Sequence, residues 1–288
     1  MISLIGLAVL FVMVFGGFAL AGGNLLVIAK ALPLEMLIIG GAAAGATLVG
    51  TDIRGIKQMG AGLSLVVKGP KYKKADYSAA IFLTARLMKL FRTDGAVAVE
   101  PHIEDPKSSS IFAEYPQFLK DPFFLHLLCD SMRLLVVSTG TLPPQAVDDV
   151  IETALETHHA AALKPVDRLT TMSDALPALG IVAAVLGVIK TMGSIDQPPA
   201  ILGGMIGSAL VGTFLGVLLS YGIVGPMANR LRAVIDADAE IYLIIRRVIV
   251  ASLKGQPQPL VIEAARTAID PANQPTFSEV FDGLRTAK

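Results

Sequence analysis

The stretch ILGGMIGSALVGTFLGVLLSYGIVG, residues 201–225, decides the fold. It lies in a run from Gln197 to Asn229 that holds no Asp, Glu, Lys, Arg or His. A helix needs about 20 apolar residues to cross the hydrocarbon core of a bilayer, so residues 200–224 read as a membrane-spanning helix. Within it Gly204, Ser208, Gly212, Gly216 and Ser220 recur every four residues. Residues four apart share a helix face, and small side chains there let another helix approach closely. That neighbour can belong to the same chain, to a second copy or to a partner.

Working outward, three more segments have the same character. A third span, the shortest, begins at Pro177 and carries no charge between Asp174 and Lys190. A second span covers about residues 34–51, with Pro33 and Glu35 at its start. The first covers about 2–21, in MISLIGLAVLFVMVFGGFALAGG, which has no Lys or Arg before Lys30. A secretory signal peptide needs a basic opening and a shorter apolar core, so this is a retained helix. Gly41 and Gly45 in the second span, and Ala183 and Gly187 in the third, form further small-residue pairs.

The expectation is therefore an all-α polytopic membrane protein: a first transmembrane hairpin (1–51), a helical cytoplasmic domain (52–173), a second hairpin (174–226) and a helical cytoplasmic tail (227–288). Composition agrees. Charged residues make up 17% of the chain and hydrophobic ones 53%, against about 25% charged in soluble proteins. The 24 basic and 24 acidic residues cancel, which argues against a nucleic-acid surface. Cys129 is the single cysteine, so there is no disulfide framework or Cys-rich metal site; it reads as a small buried apolar residue.

Orientation follows from the basic residues that flank the membrane. Arg54, Lys57, Lys68, Lys71, Lys73 and Lys74 follow the second span, Lys164 and Arg168 precede the third, and Arg230 and Arg232 follow the fourth. The hairpin loops hold only Lys30, with Lys190 near the end of the third span. The polar block, the tail and both termini are thus expected on the cytoplasmic side of the inner membrane.

The polar block reads as helices. In ADYSAAIFLTARLMKLFR (75–92), Ile81, Ala85, Leu87 and Met88 fall at helical spacing, and Gly95 is placed to stop the run. FLKDPFFLHLLCDSMRLLVVSTG (118–140) is interrupted near Pro122 and closed by Gly140, and PQAVDDVIETALETHHAAAL (144–163) opens with Pro and acidic residues. The tail from Met227 continues the fourth helix until Gly255 and Pro257. His158 and His159 read as a solvated helix face rather than a ligand pair, because adjacent residues on a helix point apart.

An absence bears on function. Ion transport usually requires an ionisable group within the bilayer, yet Glu35, Asp52, Asp174 and Lys190 are all expected at span ends. The third and fourth spans offer hydroxyls instead, including Thr191, Ser208, Thr213, Ser220 and Tyr221. If this chain conducts an ion, the titrating group must come from another chain. There is no nucleophile–base pair, phosphate loop or metal-ligand cluster to support an enzyme. A self-contained secondary transporter should carry its own polar site at broken helices, with internal repeats, and neither is evident.

Longer motifs carry a resemblance. DALPALGIVAAVLGVIKTMGS (174–194), GSALVGTFLGVLLSYGIVGPMANRLR (207–232), FRTDGAVAVEPHIEDPKSSSIFAEYP (91–116), LETH (155–158) and GQPQPLVIEAAR (255–266) occur in order. Together they resemble the MotA-type stator subunits of the bacterial flagellar motor, within the MotA/TolQ/ExbB proton channel class, over essentially the whole chain. The resemblance implies a homo-oligomer, a five-fold ring in lipid, around a MotB-type single-span partner that binds peptidoglycan and supplies a membrane aspartate. No cofactor or metal is implied, only a transported ion. It places Arg92 and Glu100 at the charges that act on the rotor protein FliG, and Pro177 and Pro226 at two prolines that couple ion passage to movement. The ion path would include Ala184, Thr213 and Tyr221, and the stripe from Gly204 to Ser220 would meet a partner. Sodium-driven relatives carry threonine where Ala184 stands, which removes one oxygen ligand here and favours protons. The loop IDQPPAILGG (195–204) departs from the proton-type pattern. The alternative is an ExbB/TolQ-like energiser of outer-membrane processes, against which four spans, the Arg92–Glu100 loop and the paired prolines all count.

Overall fold

The computed structural model describes residues 2–138 and 141–286, with side chains as far as residue 282. Every regular element among the described residues is helical. In chain order these are α1 (Ile2–Leu20), α2 (Leu25–Gly50), α3 (Ile53–Lys68), α4 (Lys74–Asp94), α5 (Ala96–Glu104), α6 (Ser110–Ala113), α7 (Pro122–Val137), α8 (Pro144–Met192), α9 (Pro199–Leu253), α10 (Gln258–Arg266) and α11 (Phe277–Thr286). A short 3₁₀ turn covers Phe118–Lys120. Four helices, α1, α2, α8 and α9, are long and apolar enough to cross a membrane, as the sequence predicts.

Two boundaries differ from expectation. The helix that holds the second span begins at Leu25, ahead of the expected span at 34–51, because the Asn24 side chain accepts a hydrogen bond from the Leu26 N–H at 2.9 Å and caps the helix. Pro33 therefore lies inside α2, and Glu35 stands ten residues into the helix instead of at its mouth. The helix of the third span does not start at Pro177, and residues 144–163 are not a separate helix. They merge into α8, a 49-residue helix with Pro165 and Pro177 inside it. A proline removes one backbone hydrogen bond, and packing against neighbouring helices tolerates this. Gly140 lies outside the described residues.

The fourth span runs straight into the tail, as expected, and α9 ends before Gly255 (φ +71°). Just ahead of Pro226 the helix widens into a π-helical stretch, Leu218–Val224. Pro226 has no N–H to offer the turn before it, and an i→i+5 pattern absorbs the shift in register. A second π stretch, Val12–Gly16, interrupts α1.

The chain forms two compact units. One comprises the chain through Gly69 together with Ala162–Val234; the other comprises Pro70–Ala161 and the chain from Ile235 onward. In the first unit, Ala31, Ile39, Ala43, Leu176, Ala183, Val211 and Leu215 form the core between α2, α8 and α9. Helix α3 belongs to this unit. Asp52 caps it by accepting from the Gly55 N–H, and Gly55, Met59, Gly62 and Val66 are buried at helical spacing along one face.

The second unit has a larger core, which includes Tyr77, Ile81, Leu87, Met88, Phe112, Phe118, Phe124, Leu128 and Ile245. Asp121 organises its polar interior. One carboxylate oxygen caps α7 by accepting from the N–H groups of Phe123 and Phe124 at 3.0 and 3.2 Å. The other accepts from the hydroxyls of Tyr72 and Tyr242 and from Lys71 Nζ. Burial alone would raise its pKa, but the bonds from Tyr72, Lys71, the Phe124 N–H and Tyr242 prevail and hold it below the usual Asp range. Arg246 of α9 reaches Asp148 and Glu152 of α8 at 2.5 and 2.7 Å.

The two histidines depart from the solvated face expected of them. His158 stacks on Phe123 with ring centroids 3.4 Å apart and meets Tyr242 edge-on, while His159 pairs with Asp236 at 3.2 Å. They do point apart, as adjacent helical residues must, and both are half-buried while Glu156, Thr157 and Ala160 beside them stay exposed. Cys129 is buried as expected, and burial pushes its thiol pKa up to about 12.

Candidate functional site

The site is built on the antiparallel pair formed by residues 173–192 of α8 and 199–225 of α9. Glycines bring the two backbones into contact. A Cβ added at Gly216 would stand 2.7 Å from the Leu176 carbonyl oxygen and 2.8 Å from Gly180 Cα. A Cβ at Gly180 would stand 2.7 Å from the Gly212 carbonyl oxygen, and one at Gly187 would lie 2.6 Å from Ala209 Cβ. At the far end the buried Ser173 hydroxyl donates to the Ser220 carbonyl at 3.1 Å and lies 3.2 Å from the Ser220 hydroxyl. This oxygen also accepts from the Gly225 N–H in the π pattern, so Ser173 adds a second donor to a carbonyl shifted out of the α-helical register.

The small-residue stripe is thereby divided. Gly212, Gly216 and Ser220 face α8 of the same chain. Gly204 is exposed, with nothing within 4 Å of an added Cβ, and Ser208 is half-buried. Thr213 and Ala184 sit one residue past Gly212 and Ala183, at the same level of the helix pair, and both are half-buried. Tyr221 is 73% exposed. Pro177 is half-buried inside α8, and Pro226 is exposed at the start of the regular helix that follows the π stretch. The α8 face that carries Ile181, Val182, Val185 and Ile189 is exposed in the single chain.

Arg92 and Glu100 belong to the second unit. Arg92 ends α4 and Glu100 lies in α5, with Gly95 (φ +83°) making the turn between them. Both are exposed. Arg92 donates to the Gln256 carbonyl at 3.4 Å and rims a shallow cavity of about 310 Å³ with Met88, Ser252 and Gln258.

One group escaped the sequence reading. Glu35 is 7% exposed and lies where α2 meets α9 and α8. Its Oε2 is 2.6 Å from the place a Cβ at Gly212 would take, and Ala183 and Ala184 adjoin the same point. Among the described residues, Oε2 has no hydrogen-bond partner. The signal that would have found it is the Gly22–Gly23–Asn24 turn, which starts α2 early enough to carry Glu35 into the span. No cluster of His, Cys, Asp or Glu that could hold a metal ion occurs among the described residues.

Similarity to known proteins settles the family. Residues 4–95 match the motility protein A N-terminal family, and residues 119–242 match the MotA/TolQ/ExbB proton channel family. Motility protein A of Salmonella typhimurium is 35% identical over 288 residues, covering 100% of this chain and 96% of that protein. The chain belongs to the motility protein A family. Motility protein A of Escherichia coli is 36% identical with the same coverage, and the chemotaxis protein LafT of Vibrio parahaemolyticus is 33% identical over 96% of this chain. The motility protein A fold is shared with solved structures. The C. jejuni MotAB structure superposes with a TM-score of 0.73 at 19% identity, covering 93% of this chain and 95% of that one. The flagellar MotAB stator complex from Bacillus subtilis gives 0.70 at 21%, covering 99% and 98%.

Proposed function

We propose that the chain is the channel-forming stator subunit of a bacterial flagellar motor, a membrane protein and not an enzyme, which converts proton flow into torque. The observation that carries this reading is full-length, colinear similarity to motility protein A, with 96% of the Salmonella relative covered. Several copies form a ring, five in number, around a MotB-type single-span partner anchored to peptidoglycan. Both termini and the second compact unit lie in the cytoplasm, where the basic residues after α2 and around α9 would be retained. Arg92 and Glu100 are exposed on adjacent helices, which suits charges that act on the rotor protein FliG.

Protons pass along the flank of the α8–α9 pair that carries Ala184, Thr213 and Tyr221. The glycine contacts support a pair that moves as one piece, and Pro177 and Pro226 stand where its backbone ladder is interrupted. Gly204 and Ser208, the open members of the stripe, are left for a partner or a second copy. The test is deletion of the gene in its source organism, followed by filament counts and swimming tracks. Normal filaments that do not rotate are expected. Swimming that persists, together with defects in uptake or envelope integrity, would refute this reading in favour of an ExbB/TolQ-like role.

A further inference from the structure

Among the described residues Glu35 is the one carboxylate buried in the four long apolar helices, and it stands ten residues into α2. The rise of 1.5 Å per residue puts it about 15 Å along the helix from Leu25. Its Oε2 lies against Gly212, where only a glycine leaves room, and is buried without a hydrogen-bond partner among the described residues. Few charged groups are in a position to answer it. From α9 there is no acidic or basic residue between Asp196 and Arg230, and α1 has none at all. On α8 the nearest are Asp174 and Lys190, about 13 and 10 Å along the axis from Ala183. On α2 itself Lys30 is five residues away and exposed.

An ionised carboxylate left unpaired in such surroundings is costly. The group can give up its proton only where water or a counter-charge reaches it. Contact with Gly212 keeps both from Oε2, and separation of α2 from α9 would admit water to it.

We propose that Glu35 is a proton-exchange site of this chain, an acid held neutral while α2 rests on Gly212 and able to pass its proton to water when that contact opens. This rests on the channel reading above and adds a second protonatable group to the partner's. In the step itself the carboxyl O–H bond breaks, the proton joins a water molecule as hydronium, and the electron pair stays on the carboxylate. Reprotonation from water on the other side of the movement restores the acid. The nearness of Ala184 to the same point places Glu35 beside the proposed proton path.

The experiment uses the full chain co-purified with its single-span partner in lipid vesicles, as wild type, Glu35→Gln and Glu35→Asp. Gln keeps the size and the contact with Gly212 but exchanges no acid proton. Proton flux under an imposed gradient is expected to fall at least tenfold in E35Q, with assembly unchanged, and to survive in part in E35D. Infrared difference spectra are expected to show a protonated-carboxyl band in wild type that changes with pH and is missing from E35Q. Flux in E35Q within twofold of wild type would overturn the inference, and so would an acid band that E35Q leaves intact. A wild-type complex that passes no protons would sink the channel reading instead. The band comparison between wild type and E35Q would still decide whether Glu35 exchanges its proton.

Discussion

Gly216→Ala adds a single methyl at the closest approach of α8 and α9. Its carbon would stand 2.7 Å from the Leu176 carbonyl oxygen and 2.8 Å from Gly180 Cα, and both are backbone atoms that no rotamer change can move. Restoring an ordinary contact of 3.4 Å requires the helices to part by about 0.7 Å at this level, or the carbonyl to tilt. Overpacking of this kind costs about 1–3 kcal/mol. Replacing glycine by alanine within a helix returns about 0.5–1 kcal/mol, so the net loss is about 0–2.5 kcal/mol. The same change at Gly204, where an added Cβ meets nothing within 4 Å, carries only the gain. Thermal unfolding of the purified chain in detergent should therefore rank the variants G204A, wild type, G216A from most to least stable. Gly180→Ala should match G216A, and the double variant should lose less than the two singles together, because both crowd one crossing. If G216A proved as stable as G204A, the close packing of this hairpin would be refuted.

Further outcomes can be checked independently. Asp121→Asn should cost the second unit about 2–3 kcal/mol in chemical unfolding, because it removes an ionic acceptor from Tyr72, Tyr242 and Lys71. The Asp121 pKa is lowered in the fold, so its contribution is present above the unfolded Asp value of about 4 and is lost as the pH falls through the folded value. Acid titration of stability should thus be flatter in D121N than in wild type. Cys129, buried and with its thiol pushed up to about 12, should resist maleimide at pH 7 and react only after denaturant, as mass spectrometry would read. Reversing both rotor charges, Arg92→Glu with Glu100→Lys, should abolish torque in a tethered-cell assay and leave membrane assembly unchanged. Swimming should stop when a protonophore is added and continue in sodium-free medium; the opposite pattern would reverse the choice of ion at Ala184.

Much of the fold was legible because each span is a long charge-free run and helical periodicity survives in the polar segments. Ile81, Ala85, Leu87 and Met88 are all buried as their spacing predicts. The misreadings share one cause. Pro33 and Pro177 read as helix starts, yet a proline deletes one hydrogen bond whose loss is absorbed where neighbours hold the helix in place. The true start of α2 lies at a turn, where Gly22 adopts φ +82° and Asn24 caps. His158 was misjudged for a different reason: periodicity along α8 does not reveal that Phe123 and Tyr242 close over it.

The site was legible unevenly. The recurrence of Gly212, Gly216 and Ser220 marked a packing face, and the structure turns that face inward, onto Gly180 and Ser173. Arg92 and Glu100 have nothing in their own chemistry to separate them from other exposed charges, so resemblance alone singles them out. Starting α2 at residue 34 put Glu35 at the membrane boundary, and from that followed the conclusion that any titrating group must belong to another chain. With α2 beginning at Leu25, Glu35 lies ten residues into the helix, so this chain has a carboxylate of its own to set beside a partner's. The α8 face at Ile181, Val182, Val185 and Ile189 is exposed and flanks half-buried Ala184, and lipid covers so apolar a face as well as a helix does. A ring of copies around a partner's helix would cover it, and Glu35, held behind Gly212 on the other side of the same pair, would then meet the proton path from within the subunit.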